Sequence, residues 1–334
     1  KVTSDLLQYV QLPPSNGYVS RVDNFGEVEN KGIEFNVNSV IAENDNFSWD
    51  INANLGLNKN NLNKLNSNLD FQLGPSVGFS QAYPILFMVG QPLGIYWGAQ
   101  TDGIYSDWDE AINSGIAGAA PGEIKYVNNF IDLDDSGQPL AIQEINFDDY
   151  VKIGDPNPDF TYSISNNFRY KKWDANILFT GQKGGDLFWV DSWQLSGLQK
   201  TTNVLTSSFE NSWSAPLVYE NGNYVYNPSV GELNNASHPG AIIDTGSRAL
   251  PSDRNIFDGS FIRLKNINIG YNFDFSQGRN MRVYISGQNL LVWTDYPGYD
   301  PEVRTYTKNP QKRGVDFGTY PGTKSVLFGL KFNY

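Results

Sequence analysis

The sequence predicts an all-β protein whose strands belong to an antiparallel transmembrane β-barrel, and three observations support this fold class. First, apolar residues recur at every second position in several runs of about ten residues, the length of a tilted membrane-spanning strand. Second, these runs come in pairs joined by short turns. Third, long connections separate the pairs, at residues 58–159, 182–259 and 294–322. Short periplasmic turns and long extracellular loops are typical of outer-membrane barrels.

The composition narrows both the kind of membrane protein and its chemistry. No run approaches the roughly 18 apolar residues that a membrane helix requires, so a membrane-spanning fold must use strands. The formal net charge of −12 argues against nucleic acid as a partner. The 334 residues include no cysteine and one histidine, His238, which leaves no thiol chemistry and little histidine-based catalysis.

The first strand pair has one apolar and one polar face, because side chains alternate between the two faces of a strand. The apolar face of its first run holds Ile33, Phe35, Val37 and Ile41, and that of its second run holds Trp49 and Ile51. The opposite face of the second run is polar, with Ser48, Asp50, Asn52 and Asn54. Such residues are poor core material, which predicts a wide lumen filled by water or by a polar plug.

Two further pairs follow the same alternation, at residues 160–179 and 261–293. The third pair is less regular, because Arg263 and Lys265 fall in the same alternation as the apolar Ile269. Two explanations remain open. Either a β-bulge shifts the register, or the two cations lie beyond the apolar band.

The last ten residues, SVLFGLKFNY, form a terminal strand with apolar side chains at every second position. Weaker strand candidates lie around residues 18–28, 83–100 and 120–128. Aromatic residues near strand ends suit the girdles at the membrane interfaces: Tyr170, Trp173, Phe273 and Trp293. The predicted lipid-facing residues are Phe35, Trp49, Ile51, Ile164, Phe168, Ile177, Ile269, Phe328, Leu330 and Phe332. The alternative is a soluble carbohydrate-binding β-sandwich, in which a second layer covers the apolar face.

Six segments, in order along the chain, resemble the SusC-like (SusC/RagA) family of TonB-dependent outer-membrane transporters. They include GQPLGIYWGAQTDGIY and GQNLLVWTDYPGYDPEV and cover residues 30–60, 90–105, 152–188, 258–273, 287–303 and the terminal FGLKFNY. The visible strands are too few to enclose a wide lumen, and open sheet edges do not occur in lipid. We therefore expect residues 1–334 to be the C-terminal portion of one barrel domain, without signal peptide, TonB box or plug.

The resemblance implies a barrel of about 22 strands in the outer membrane of Bacteroidetes, with the loops at the cell surface. It implies TonB-dependent import of oligosaccharides or peptides together with a SusD-like lipoprotein. The other implied partners are the TonB complex, acting through the N-terminal region, the rest of the barrel with its plug, the lipid bilayer and lipopolysaccharide. The resemblance also implies that Phe332 and Tyr334 are a C-terminal assembly signal. An alternative is a SusC-like barrel that serves as an assembly or secretion platform without import.

The segment FIDLDDSGQPLAIQEINFDDY offers a candidate for a structural calcium ion. Its candidate ligands are Asp132, Asp134, Ser136, Glu144 and Asp148. The first three fall at positions 1, 3 and 5 of an EF-hand-like loop, but Gln143 occupies position 12, where a glutamate normally closes the shell. The alternative is a solvated acidic turn.

Aromatic residues in or near the long loops are candidates for substrate or partner binding, because flat rings stack on sugars and anchor interfaces. They are Tyr96, Trp97, Trp108, Trp189, Trp193 and Trp213. Their alternative role is to anchor the loops. Acidic residues such as Asp295, Asp300 and Glu302 are too common in the chain to identify a glycosidase pair, so we expect no enzymatic activity.

Overall fold

The computed structural model describes residues 1–4, 7–11, 17, 20–24, 26–65, 69–78, 82–196, 203–214, 217–221, 223–226, 236–240, 250–275, 279–303, 305–306 and 309–333. The strands are β1 (Val2–Thr3), β2 (Leu7–Gln11), β3 (Ser20–Asn24), β4 (Gly26–Asn44), β5 (Phe47–Leu65), β6 (Phe71–Leu73), β7 (Ile85–Met88), β8 (Ile95–Gly98), β9 (Thr101–Ile104), β10 (Ile124–Tyr126), β11 (Val151–Gly154), β12 (Pro158–Tyr170), β13 (Trp173–Gly184), β14 (Asp186–Trp189), β15 (Leu217–Glu220), β16 (Asn223–Tyr226), β17 (Ile256–Asp258), β18 (Phe261–Asp274), β19 (Asn280–Trp293), β20 (Val315–Asp316) and β21 (Ser325–Asn333). The helices are α1 (Trp108–Asn113), α2 (Ser192–Leu195) and α3 (Thr206–Glu210). In the part of the chain described above, no helix combines the length and the apolar character needed to cross a bilayer.

The long strands form one eight-stranded antiparallel sheet in the order β1-β4-β5-β12-β13-β18-β19-β21. Strands β4 and β5 have 19 residues each, which is about 60 Å at ~3.3 Å per residue. An apolar band about 25 Å tall uses only part of that length, so these strands continue beyond the membrane at the long-loop end. The predicted all-β barrel wall, with short turns at one end and long loops at the other, is confirmed.

Cross-strand register places the predicted lipid-facing residues on one face of this sheet. The row through Trp49, Phe168, Ala175, Ile269, Ile285 and Phe328 runs side by side across six strands. The face is open, with Ile164 39% exposed and Phe328 82% exposed. Polar residues on this face include Ser39, which pairs with Ile51, and Asn166, whose side-chain oxygen accepts a hydrogen bond from the Trp49 ring N–H at 3.3 Å.

Two bulges alter the alternation that the sequence predicts. The pairs Phe179–Leu264 and Leu178–Asn266 leave Lys265 as the extra residue, so the bulge explanation is confirmed. The bulge returns Leu264 to the apolar face and turns Arg263 to the polar face. A second bulge between Val40 and Ala42 corrects the prediction for Ile41, which does not continue the row of Ile33, Phe35 and Val37.

The long connections are folded segments, and the hydrophobic core of the chain lies among them. We call them the first loop (residues 66–157), the second loop (185–260) and the third loop (294–324). The predicted weaker strands are present as β3, β7, β8 and β10. This core lies where the loops meet the long-loop ends of β4 and β5. It contains Val28, Leu62, Leu65, Val77, Ile85, Phe87, Tyr96, Phe188, Val190 and Val315.

Aromatic rings cluster at the short-turn end of the apolar face, as predicted for Tyr170 and Trp173. The Trp173 ring contacts that of Tyr271 with centroids 4.9 Å apart, and Tyr271 contacts Phe273 at 4.7 Å. Trp293 lies at the opposite end, the last residue of β19. Rings at both ends of the apolar face fit the predicted girdles at the membrane interfaces, and this role stays a prediction.

Candidate functional site: the polar wall and the loop assembly

The polar face of the sheet carries a ladder of amide side chains. The Asn167 amide donates to an Asp50 carboxylate oxygen at 2.8 Å, and the Asn176 amide donates to the Asn167 oxygen at 2.6 Å. Asn52 donates to Asn38 on the same face. Because amides both donate and accept, this wall presents hydrogen-bonding groups of both kinds towards the lumen.

An ion pair crosses the same face near the short-turn end. The Arg282 guanidinium Nε donates to an Asp174 carboxylate oxygen at 3.0 Å, and Asn272 donates to the same oxygen at 2.8 Å. Gly270 leaves the space for this group, since a Cβ there would lie 2.5 Å from the guanidinium. Gly329 does the same for the Tyr284 ring, over which Arg282 lies at 4.9 Å. The two glycines therefore leave the space in which the Arg282 cation lies against the wall.

The three long loops interlock into one assembly. Strand β14 of the second loop pairs antiparallel with β17 and parallel with β20 of the third loop. The first loop joins them through Tyr96, whose hydroxyl donates to the Arg313 carbonyl at 2.9 Å and whose ring contacts Phe188 at 5.6 Å. Burial raises the pKa of Tyr96 far above its usual range, so the hydroxyl remains a donor at any physiological pH.

A buried ion cluster, which we call the clamp, fixes the third loop to the wall. Arg263 on β18 contacts the Asp300 carboxylate at 2.5 Å and the Glu302 carboxylate at 2.7 Å. Asp300 also accepts a hydrogen bond from the Gly322 N–H at 3.1 Å, which joins the two ends of the loop. The side chains of Arg263 and Asp300 are only 4% and 7% exposed, so the loop conformation depends on their mutual charge compensation.

The clamp holds two of the most exposed aromatic side chains of the chain, Tyr299 at 79% and Tyr320 at 82%. They flank Asp300 and Gly322, the two residues that the clamp joins. Neither residue was predicted from the sequence as a contact residue, although a repeated Tyr-Pro-Gly at Tyr296 and Tyr320 marks the two turns. Free rings held on a rigid loop are suited to stack on a ligand.

The predicted loop aromatics are not gathered into one site. Tyr96 and Trp189 are buried by the chain's own residues, which removes them from contact with a ligand in this structure. Trp193 and Trp213 donate from their ring N–H to the carbonyls of Leu250 at 3.3 Å and Ser106 at 3.1 Å, and Trp97 is half-buried. These contacts are those of loop anchors.

Trp108 differs from the other predicted rings, since it is 51% exposed at the start of α1. The helix is fixed by Glu110, whose carboxylate accepts from the Ser106 N–H at 2.8 Å and pairs with Lys125 at 2.9 Å. The Ser106 N–H and the Lys125 ammonium hold the pKa of Glu110 below its usual range. Trp108 thus remains a candidate contact residue.

The predicted calcium ligands do not fit a calcium ion in this arrangement. Across the described residues, which include all of 132–149, no group of three or more acidic or histidine side chains is placed to hold a metal. The Asp134 carboxylate accepts from the N–H groups of Ser136 and Gln138 at 2.8 and 2.9 Å, while Asp132 accepts from the Glu144 N–H at 3.2 Å. The carboxylates of Asp132 and Asp134 therefore cap the backbone of turns in this structure, and calcium binding stays a prediction.

An exposed apolar strip on the first loop is a second feature that was not predicted from the sequence. It consists of Phe130, Ile131, Leu133, Leu140 and Ile142, which are 44–63% exposed. Between Lys125 and Lys152 there is no lysine or arginine, whereas acidic residues surround the strip. Exposed apolar surface with a rim of one charge sign, outside the membrane band, is typical of a protein interface.

Comparisons with known proteins agree with this architecture. No protein-family model matches the chain. It is 33% identical over 344 residues to the TonB-dependent receptor P3 of Formosa agariphila, covering 99% of the chain and 31% of the relative. It is 25% identical over 348 residues to the TonB-dependent receptor SusC of Bacteroides thetaiotaomicron, covering 29% of that protein. The curated relatives are named as receptors, in agreement with a protein that is not an enzyme.

A solved structure of the RagAB peptide transporter superposes with a TM-score of 0.74 at 19% identity, covering 99% of the chain and 32% of the solved chain. The chain thus spans about a third of the length of the proteins it matches. The likeness in fold extends over nearly the whole chain. The chain belongs to the SusC-like TonB-dependent receptors, and it corresponds to their C-terminal barrel portion.

Proposed function

We propose that the chain forms part of the wall and three extracellular loops of an outer-membrane importer that takes up oligosaccharides or peptides. The observation that supports this function best is the combination of a hydrogen-bonding polar wall with an interlocked loop assembly at one end. A wall of paired amides offers many weak polar contacts, which allow a hydrophilic solute to pass without tight binding. The RagAB neighbour is described as a peptide importer, which supports peptides as one of the two substrate classes.

The exposed apolar strip of the first loop is our proposed docking surface for a SusD-like lipoprotein. Its side chains lie outside the apolar band, where water is the alternative neighbour. Burying apolar area of this kind stabilises a complex by about 25 cal/mol per Å² before the costs of association. The acidic rim favours a partner surface with lysine and arginine around an apolar centre.

The roles that we propose for the other partners rest on the resemblance to the SusC-like family. We propose that the TonB complex acts on a region of the receptor outside residues 1–334, and that the plug occupies the lumen next to the amide ladder. The outer wall contacts the bilayer and lipopolysaccharide, and the loops lie at the cell surface.

The test uses the intact receptor expressed in a strain that lacks it. The variant carries Ile131→Asp and Ile142→Asp in the apolar strip. The control carries Ile112→Asp, which changes a somewhat more exposed isoleucine of α1 in the same loop. We expect the variant to lose at least tenfold in co-purified lipoprotein and in growth on the imported oligosaccharide or peptide, while the control keeps both.

Two results would contradict the proposal. If the variant binds the lipoprotein as the unmodified receptor does, the docking surface lies elsewhere. If deletion leaves growth unchanged on every glycan and peptide source but damages outer-membrane assembly, import is the wrong function.

A further inference from the structure

The polar face of the wall contains a small cavity where it meets the loop assembly. The cavity has a volume of about 180 Å³. Its polar lining comes from the wall, from the end of the first loop and from the third loop, and includes Glu34, Asn58, Asn157, Thr161 and Arg313. The pairs Glu34–Gly56 and Gly56–Thr161 place one row of the lining across β4, β5 and β12. Glu34 lies four residues from Asn38 of the amide ladder and on the same face, so the cavity lies between the loops and that ladder.

Gly56 leaves an open floor between two polar side chains. Apart from its chain neighbours, the only described atom that a Cβ at this position would meet is the Thr161 hydroxyl oxygen, at 3.5 Å. That distance is an ordinary van der Waals contact. The space above Gly56 is therefore free to take part of a ligand, and a larger side chain there would fill it without displacing the backbone.

Two opposite charges line this cavity, and both are available to a ligand. Glu34 and Arg313 are exposed, and within the described ranges neither forms an ion pair. The Glu34 carboxylate also has no hydrogen-bond partner in that part of the chain. The Arg313 guanidinium contacts the side-chain oxygen of Asn157 at 3.5 Å, which is longer than the roughly 2.7–3.2 Å of a strong N–H···O bond.

The loop side of the cavity is held in place by contacts of the loop assembly. The Arg313 carbonyl accepts the hydrogen bond from the Tyr96 hydroxyl at 2.9 Å. The Asn157 amide donates to an Asp155 carboxylate oxygen at 2.7 Å, and the Asn157 oxygen accepts from Asn60 at 2.8 Å. Because these positions are fixed before a ligand arrives, binding costs little further ordering of the chain.

We propose that the cavity is a subsite for the N-terminal residue of a short peptide, an inference that rests on the proposed import function. Pockets for whole small molecules have volumes of roughly 300–1,000 Å³, so this smaller cavity takes one unit of a longer substrate. The α-ammonium group of the peptide donates to the Glu34 carboxylate, and its first carbonyl oxygen accepts from the Arg313 guanidinium. Both contacts are charge-assisted hydrogen bonds.

Sugar units match the two charges less well. A neutral sugar would displace water from both groups without supplying an opposite charge to either of them. An acidic sugar would pair with Arg313 but would bring a second negative charge close to Glu34. A free α-ammonium group is the feature that compensates Glu34, so this carboxylate favours peptides over both kinds of sugar.

The experiment measures the binding of trialanine, N-acetyl-trialanine and the neutral sugar cellotriose to the intact receptor in detergent by isothermal titration calorimetry. Glu34→Gln removes the charge and keeps the shape, and Gly56→Val fills the cavity. Glu43→Gln is the matched control, because Glu43 is an exposed glutamate on the same strand and face, at the short-turn end. Heat-dependent electrophoretic mobility verifies that each barrel is folded.

We expect the unmodified receptor and Glu43→Gln to bind trialanine equally, with at least tenfold weaker binding by Glu34→Gln and by Gly56→Val. Acetylation of the peptide should weaken binding at least tenfold in the unmodified receptor but less than twofold in Glu34→Gln, because both changes remove the same ion pair.

The subsite is overturned if the unmodified receptor does not bind trialanine, if it binds the acetylated peptide equally well, or if Glu34→Gln binds trialanine as the unmodified receptor does. Tighter binding of cellotriose than of trialanine, abolished by Gly56→Val, would overturn the peptide assignment and leave import intact. Import itself is decided by growth of the deletion strain, which uses none of these variants. Should Gly56→Val fail to fold, Glu34→Gln against Glu43→Gln decides the question.

Discussion

Arginine in place of Ile164 will lower the free energy of unfolding by about 2–4 kcal/mol, because this side chain lies near the middle of the apolar band. Ile164 pairs with Ala53 and Phe179 on the neighbouring strands and is 39% exposed on the apolar face. It lies six residues above Tyr170 on β12, which is about 14 Å from the short-turn end at ~3.3 Å per residue and a tilt near 45°. A guanidinium at that depth has no polar partner in lipid.

Asn52→Arg is the matched control, because Asn52 pairs with Ser165, the neighbour of Ile164 on the polar face. An arginine there projects into the lumen, and we expect a change within about 0.5 kcal/mol. Both free-energy changes are measured by reversible unfolding in urea in the presence of lipid vesicles. The folded fraction at each urea concentration is read from electrophoretic mobility. Equal losses for the two variants would mean that the faces of the wall are wrongly assigned.

Removal of the clamp cation will have an effect of similar or larger size. Arg263→Ala leaves the buried Asp300 carboxylate without its counter-charge, while Glu302 keeps Lys265 at 3.7 Å. An uncompensated buried charge costs about 3–5 kcal/mol. We expect the third loop to detach from β18 while the wall stays folded, because the clamp contacts belong to the loop side of the strand. Faster limited proteolysis within residues 294–324 measures this detachment.

Two comparisons separate the clamp from a general effect of charge removal. Lys172→Ala removes the exposed pair with Asp274, which is worth at most about 1 kcal/mol. The double variant Arg263→Met with Asp300→Asn should lose less than the sum of the single variants, because it removes the cation and one of its counter-charges together. Strict additivity would show that Arg263 and Asp300 do not stabilise each other.

The wall could be predicted from the sequence because the alternation of apolar and polar residues within each strand indicates both the strand and its two faces. An alternation such as Phe328, Leu330 and Phe332 is local, and it survives every tertiary arrangement that leaves the strand straight. The bulge at Lys265 could only be left as one of two explanations. Its position depends on pairing with Leu178 and Phe179, which lie far away in the chain.

The loop assembly could not be predicted in the same way. Phe188 pairs with Val315, which lies more than a hundred residues later in the chain, and no local sequence pattern predicts that contact. Burial of Tyr96 and exposure of Tyr320 likewise follow from tertiary packing, since both are loop tyrosines two residues from a glycine on either side and look alike in sequence. Tyr334 of the predicted assembly signal lies outside the described residues, so that interpretation stays a prediction.

The most direct test of the central claim is a cysteine scan along β12 in the receptor reconstituted in lipid vesicles. These 334 residues contain no cysteine, so single substitutions at Tyr162, Ser163, Ile164, Ser165 and Asn167 accept a nitroxide label without background from them. Collisions with oxygen report lipid, and collisions with a water-soluble nickel chelate report the lumen. We predict high oxygen and low nickel accessibility at positions 162 and 164, with the reverse at 163, 165 and 167. Nickel access at 162 and 164, or low access to both reagents there, would show that bilayer hydrocarbon does not cover the apolar face.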